Sequence, residues 1–297
     1  DNTEYILVSR RRQGIDQLGM NITHAVTVST ANEFFITRKM ANMYLCDDGL
    51  PIEKSPRFKG YSAFDDEYKN RDNRMSNTMM VPGTKYFNND ECWRVKWDAS
   101  DFDQPKIKTA NPVGGSGYHI RKWATEREVA DYYESYDYPM IRYAEVLLNY
   151  AEAVYELDGK ISDNDLNMSI NIVRKSVNPD MPGLSNSLVS NNDLSMRQEI
   201  RRERTVELFT EGFRLDDLKR WNTAAEEMSQ DLIGVKWQGT AFESKWVNPP
   251  YNINADGCLV IYTDRSGWKR TDKRYYLLPL PSDQLQLNPA LGQNPGW

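Results

Sequence analysis

Between positions 203 and 220 the chain carries a dense group of charges: Glu203, Arg204, Glu207, Arg214, Asp217 and Arg220. Glu203 and Glu207 are four residues apart, so on a helix they share a face, and two carboxylates on one face can do acid–base work of the glycosidase kind. A general acid needs a raised pKa, and a neighbouring arginine lowers it. Each acid of this group has an arginine within three to ten residues, in segments that read as facing helices. Guanidinium and carboxylate match as planar forks and fix the register of the helices that carry them. The pattern therefore assigns the group to a structural ion-pair network, and no enzyme is expected.

Other chemistry is poorly supplied. His24 and His119 are the only histidines, and neither has a second histidine nearby to make a metal pair. Gly114, Gly115, Ser116 and Gly117 form a Gly-rich stretch without the Lys-Ser/Thr of a phosphate cradle. Asp98, Asp101 and Asp103 offer oxygens at alternating spacing, a partial calcium pattern that lacks the glycine and the terminal glutamate of a calcium loop. Calcium is thus the one cofactor with any support, and none is expected. Cys46, Cys92 and Cys258 contain no CxxC spacing, so a zinc site is not expected, and their odd number leaves at least one free thiol. The net charge is −6, and Arg201, Arg202 and Arg204 alternate with Glu199, Glu203 and Glu207, which argues against nucleic acid as a partner. No stretch approaches 18 apolar residues, so no helix is expected to span a membrane.

The elements that must position these groups fall into three segments. With 297 residues, including 17 Tyr, 8 Trp and 9 Phe, the chain is one large domain or two small ones and too aromatic to be disordered. Residues 1–137 read as loop-rich, with short strand-like pieces at Ala25–Thr30 and Trp93–Trp97 and turns at Asp47–Pro51 and Asn70–Arg74. Residues 138–228 read as helical. Pro139 suits a first helical turn, Ile141, Ala144, Leu148, Ala151 and Tyr155 form an apolar stripe, and Gly159 ends it. Asp163 to Asp165 offer caps for a second helix with Leu166, Ile170, Val173 and Val177 on its buried side, stopped by Pro179. After a Ser/Asn-rich loop at Ser185–Asn192, a third helix is expected from about Asp193 to Thr210 and a fourth from about Phe213 to Met228. Two successive helix pairs with small residues at close approach suggest stacked antiparallel hairpins of tetratricopeptide-like type. Residues 229–297 read as irregular, ending in a Pro/Asn-rich coil whose regular leucines would pin it across a body. The fold class expected is mainly α, with large loop-rich segments and few short strands. Tyr143, Tyr150, Tyr155 and Trp221 sit on helical stripes and are assigned to the core.

Pro139–Gly159, Ile200–Trp221 and the terminal run from Tyr275 to Trp297 closely resemble, in order, the three hallmark segments of the C-terminal region of SusD/RagB proteins, and Asp47–Pro51 and Tyr68–Met75 resemble the weaker segments before them. The resemblance implies a starch-utilisation-system D-like lipoprotein of the outer membrane, surface-exposed and non-enzymatic. It implies a glycan ligand and a SusC-like TonB-dependent transporter as partner. It also implies a preceding region with a signal peptide, a lipidated cysteine as the only membrane attachment, and the first helical repeats.

A pyranose offers a face of C–H bonds and a rim of hydroxyls, which suits an aromatic ring flanked by amides, carboxylates and guanidiniums. Three groups of loop aromatics fit that description: Tyr61, Phe64 and Tyr68 beside Asp65, Asp66 and Asn70; Trp93 and Trp97 beside Asn88, Asn89 and Asp90; and Trp237 and Trp246. Tyr61, Tyr68, Asn70, Trp93 and Trp97 are the favoured ligand-binding residues. The alternative reading of the same scaffold is a concave helical surface that captures a peptide or protein, or another non-sugar nutrient.

Overall fold

A computed structural model of the chain describes residues 3–11, 35–81, 115–123, 137–246, 248–263 and 276–297. The strand-like pieces at Ala25–Thr30 and Trp93–Trp97, the acidic group Asp98, Asp101 and Asp103, and the residues His24 and Cys92 lie outside the described residues. The chain forms two compact units, one of Asp1–Phe209 with Ile233–Ile261 and one of Thr210–Leu232 with Tyr262–Trp297. The first unit thus draws on all three segments recognised in the sequence. The described residues are mainly helical with few strands, and none of their helices is long and apolar enough to cross a membrane.

The first unit opens with strand β1 (Tyr5–Ser9), which pairs antiparallel with β2 (Tyr138–Arg142), Val8 opposite Pro139. Pro139 therefore does not start a helix, as its sequence position suggested. In a two-stranded ribbon a residue can face outward along an edge, where a missing N–H costs nothing. Helix α1 (Arg38–Met43) is capped by the Thr37 side chain, and α2 (Asn73–Thr78) by Asp72. Between them the Asp47–Pro51 turn carries Gly49 at φ +79°, and Asn70 sits at φ +56° just before α2, so both expected turns use left-handed backbone.

Helix α3 (Tyr143–Asp158) buries Ala144, Leu147, Leu148 and Ala151 and ends at Gly159, where φ is +68° and the amide donates to the Tyr155 carbonyl. The second expected helix is two pieces, α4 (Asp163–Asn167) and α5 (Ile170–Val177), separated at Met168 and Ser169. Its cap is Ser162, one residue before the acids expected to do this, with Oγ accepting from the Asp165 amide at 3.1 Å. The Ser/Asn-rich stretch expected as a loop contains helix α6 (Asn186–Asn191). Ser185 caps it, Val189 is buried beneath it, and Asn186 ties it to Ile161 and Asp163. Local capping thus outweighed the poor helix propensity of Asn and Ser. Helix α7 (Met196–Glu207) is capped by Ser195. It packs on α1, α3 and α5, and α3 also packs on α5.

A second part of the first unit's core lies below α1 and α2. Strand β3 (Leu232–Lys236) neighbours β5 (Cys258–Tyr262), and β5 pairs antiparallel with β4 (Asn252–Ile253). The Val235 amide donates to the Ser116 carbonyl at 2.8 Å, and a Cβ on Gly234 would collide with that carbonyl. Trp237, Phe242 and Trp246 stack on one another, the last two carried by α10 (Ala241–Lys245) and the residue after it. Together with Met40, Met75 and Tyr118 they form the main apolar cluster. Trp237 and Trp246 were expected as exposed sugar platforms. They are core residues instead, because the irregular segment that carries them folds back as a short sheet and helix.

In the second unit the expected fourth helix is broken. Helices α8 (Arg214–Arg220) and α9 (Ala224–Glu227) are separated by Asn222 at φ +57°. The Ala225 amide donates to the Tyr276 hydroxyl. The terminal stretch contains α11 (Ser282–Leu287) and is closed by polar groups. The Gln293 side chain donates to and accepts from Leu280, Asn294 donates to the Leu278 carbonyl, and the Trp297 indole donates to the Leu277 carbonyl. The leucines expected to pin it, Leu277, Leu278 and Leu287, are exposed.

Replacing Trp237 by Ala is expected to cost about 3–5 kcal/mol in chemical denaturation, the range for deleting a buried aromatic. A loss below about 1 kcal/mol would contradict its place in the core.

Candidate functional site

Two clusters combine chemistry-bearing side chains, both in the first unit. The first is centred on Arg74. As the second residue of α2 its amide donates to the Asp72 cap, and its guanidinium turns back on the same carboxylate, with Nη2 to Asp72 Oδ2 at 2.6 Å. The guanidinium also reaches α7, meeting Glu203 at 2.5 Å and Glu207 at 3.2 Å. Arg174 of α5 lies 3.4 Å from Glu203 and donates to the Pro182 carbonyl. Arg142, at the end of β2, bridges Glu207 and Glu4, each at 3.0 Å. Asn178 closes the group, donating to Asp72 and accepting from the Asn73 amide. Asp72, Arg74, Arg174 and Glu203 are all buried.

Three arginines thus face three carboxylates, with Glu4 added at the rim. Burial alone would push the Glu203 carboxyl up, but Arg74 and Arg174 outweigh it and hold the carboxyl below its usual range. Asp72 is likewise pulled down, against its burial, by Arg74. An acid held ionised in this way does not donate a proton near neutrality, so the geometry suits cross-linking better than acid catalysis.

The sequence pointed to Glu203 and Glu207 but placed their partners in the arginines that follow. The structure brings Arg74, Arg142 and Arg174 to them instead. Arg204 donates to Asn149. Arg214, Asp217 and Arg220 belong to the second unit, where Arg220 meets Asp217 at 2.8 Å, Arg214 lies 3.7 Å from Glu227, and both arginines flank the Trp221 ring. A signal for Arg174 was present in the sequence. It follows Ile170 by four residues and so falls on the buried face of α5, where a lone charge demands a partner. Tyr143 and Tyr150, assigned to the core by periodicity, are exposed, and the Tyr150 hydroxyl donates to Asp165.

The second cluster lies where the 57–71 loop crosses the start of α1. The Arg38 guanidinium sits over the Tyr61 ring, 4.3 Å from its centroid, and the Phe58 ring meets Tyr61 edge-on at 5.1 Å. Beneath them Glu67 is buried and accepts from the Tyr118 hydroxyl at 2.8 Å. Burial pushes the Glu67 carboxyl up, and the Tyr118 hydrogen bond with the charges of Arg38 and Arg71 offsets part of that rise. Arg71 is a backbone clamp. It donates to the carbonyls of Ala41, Tyr44, Leu45 and Glu67 and so ties the loop to α1.

Of the favoured residues in this loop, Tyr61 is half-buried and presents its ring to Arg38. Tyr68 is half-buried and packs against the main core. The Asn70 side-chain amide donates to the Arg57 carbonyl across the loop. Phe64, also named from the sequence, is half-buried and packs edge-on against the core residues Phe242 and Trp246. Asp65 and Asp66 both pair with Lys69. Trp93 and Trp97, with Asn88, Asn89 and Asp90, lie outside the described residues. Arg38 was not singled out from the sequence, because its partner Tyr61 is 23 positions away and no local pattern joins them. Among the described residues, no group of three or more His, Cys, Asp and Glu is arranged to hold a metal ion.

The SusD family profile matches residues 3–297, and the chain belongs to that family. Among solved structures it is similar to a SusD-like carbohydrate binding protein from Bacteroides fragilis, with 24% identity and a TM-score of 0.69 over 98% of this chain and 55% of that one. It is also similar to a second SusD-like protein from Bacteroides fragilis, with 22% identity and a TM-score of 0.62 over 100% of this chain and 55% of that one. The chain thus spans just over half the length of these relatives, and at this identity the likeness speaks for the fold. No curated protein sequence matches it significantly.

Glu203→Gln is expected to cost about 3 kcal/mol at pH 7, because it leaves buried guanidinium charge uncompensated. Glu203 and Asp72 have folded-state pKa values below their unfolded values, so the stability they contribute is complete above about pH 4–5 and lost as pH falls through the folded values. Thermal midpoints from pH 7 to 3 should fall steeply at the acid end in the wild type and less steeply in Glu203→Gln. Parallel curves would contradict the assignment.

Proposed function

We propose that this chain is part of a non-catalytic, surface-exposed outer-membrane lipoprotein that binds an oligosaccharide or polysaccharide and hands it to a SusC-like TonB-dependent transporter. The observation that carries the reading is the Arg38–Tyr61–Phe58 group. It sets a guanidinium from the start of α1 over an aromatic ring of the 57–71 loop, and Arg71 fixes that loop to α1. Flat rings with adjacent N–H donors are the chemistry a pyranose calls for. Family membership supports the same reading, and so does the description of one similar structure as a carbohydrate binding protein. The ion-paired state of Glu203 and Glu207 supports binding without hydrolysis.

In this reading α3 to α7 serve as tetratricopeptide-like hairpins that hold the loops, and Tyr61, Tyr68, Asn70, Trp93 and Trp97 are the ligand-binding residues.

The test is affinity electrophoresis and calorimetry on a polysaccharide panel, with unstructured peptides as controls. Tyr61→Ala, Trp93→Ala and Trp97→Ala should each weaken glycan binding about ten-fold or more, the loss expected for an aromatic anchor. No reducing sugar should be released. Saturable binding to peptides with indifference to glycans would replace this reading by that of a peptide-capturing scaffold.

A further inference from the structure

The Arg38 guanidinium has five N–H donors. Among the described residues it makes one hydrogen bond, to the Tyr118 hydroxyl at the long distance of 3.5 Å. Its guanidinium lies over the Tyr61 ring, 4.3 Å from the centroid, a cation–π contact that is not a hydrogen bond to a conventional acceptor. Arg38 is half-buried, so the donors it presents are partly shielded from water. The Tyr61 hydroxyl has no hydrogen-bond partner among the described residues either, and its ring is likewise half-buried.

The charge balance around this group is uneven. The carboxylate that acts on Arg38 is Glu67, and Glu67 is shared with Arg71. Arg71 rests on four backbone carbonyls, which satisfy its N–H groups without neutralising its charge. Two guanidiniums therefore face one carboxylate. The other acids nearby are held elsewhere, Asp65 and Asp66 sharing Lys69 and Asp47 meeting Arg57. Around Glu67 itself two guanidiniums meet one carboxylate, and Arg38 is the one of the two whose N–H donors are largely unused among the described residues. The whole chain is acidic at −6, but screening confines that field to about 8–10 Å at ordinary salt, so the local excess governs a bound ligand.

We propose that Arg38, backed by Tyr61, is a carboxylate-binding subsite, and that the glycan taken by this protein is acidic, carrying uronate residues. The guanidinium fork grips the uronate carboxylate in a two-bond pairing while the Tyr61 hydroxyl bonds the sugar rim. The proposal rests on the carbohydrate-binding reading above and adds the charge class of the ligand.

The test uses an array of uronate polysaccharides, namely galacturonan, glucuronan, alginate and hyaluronan, each beside its carboxyl-reduced neutral counterpart, probed with the intact protein. At least one acidic member should bind ten-fold or more tightly than its reduced partner at low salt, and the preference should shrink as salt rises. Arg38→Gln should bring the ratio below about three-fold. Arg38→Lys, which keeps the charge but not the fork, should keep the preference with weaker binding. Thermal melts of both variants show whether they fold, and the salt dependence and the reduced partners test the proposal on the wild type alone. Equal or tighter binding to neutral members, or a preference that survives Arg38→Gln in a folded protein, would overturn the uronate claim and leave glycan binding standing. Binding to no member of either kind and to no neutral panel glycan would overturn both.

Discussion

The arrangement of the first unit depends on a buried guanidinium. Arg74 gathers Asp72 from its own helix start and Glu203 and Glu207 from α7, while Arg174 and Arg142 approach those acids from α5 and β2. Four elements meet through one set of charges. Buried ion pairs contribute little net stability compared with apolar packing, because desolvation offsets attraction. Their value lies in specificity, since any other register of α7 against α2 would leave a buried charge alone. Here charges from distant parts of the chain set the register of short helices that also share the main apolar cluster. α1, α2, α6, α8 and α9 have seven residues or fewer, too few to hold together by helix formation alone.

The same economy appears at the loop. Arg71 satisfies four carbonyls of α1 and its surroundings that irregular backbone would otherwise leave buried without donors. A long loop with only one short 3-10 turn, Asp66–Tyr68, is tied down in this way. Rigidity matters for a binding surface, because a platform that is already ordered loses less entropy on meeting its ligand. Tyr61 lies on the loop fixed in this manner and Arg38 at the start of the helix it is tied to, and the pairing between them keeps a long side chain in one place.

Much of this was legible in the sequence and some of it was not, for identifiable reasons. Helix α3 was visible because its apolar period and its terminal Gly159 agree. The split of the second and fourth helices was not, because Ser169 and Asn222 carry no strong breaking signal and their backbone angles are set by packing. Ser185–Asn192 reads as loop by composition and is helical through a serine cap and one buried valine. Glu203 and Glu207 were read from the sequence as ion-paired with the arginines that follow them, but their partners came from positions 74, 142 and 174, which only folding brings near. Trp237 and Trp246 show the limit of composition: aromatics in a Pro- and Gly-rich stretch look exposed until the stretch folds onto itself. Arg38 escaped notice for the same reason as Arg74, since a cation 23 or 129 residues from its partner leaves no local pattern.

If the Arg74 cross-link governs how α2 meets α7, the interaction between its two partners is directly measurable. A double-mutant cycle of Arg74→Met and Glu203→Leu, followed by chemical denaturation at pH 7, gives that coupling energy. The account requires the double variant to be more stable than the sum of the single losses implies, by about 2–3 kcal/mol, because each single change strands the other charge and the double change strands less. Losses that add within about 0.5 kcal/mol would mean that Arg74 and Glu203 do not depend on each other, and the buried guanidinium would no longer explain the assembly.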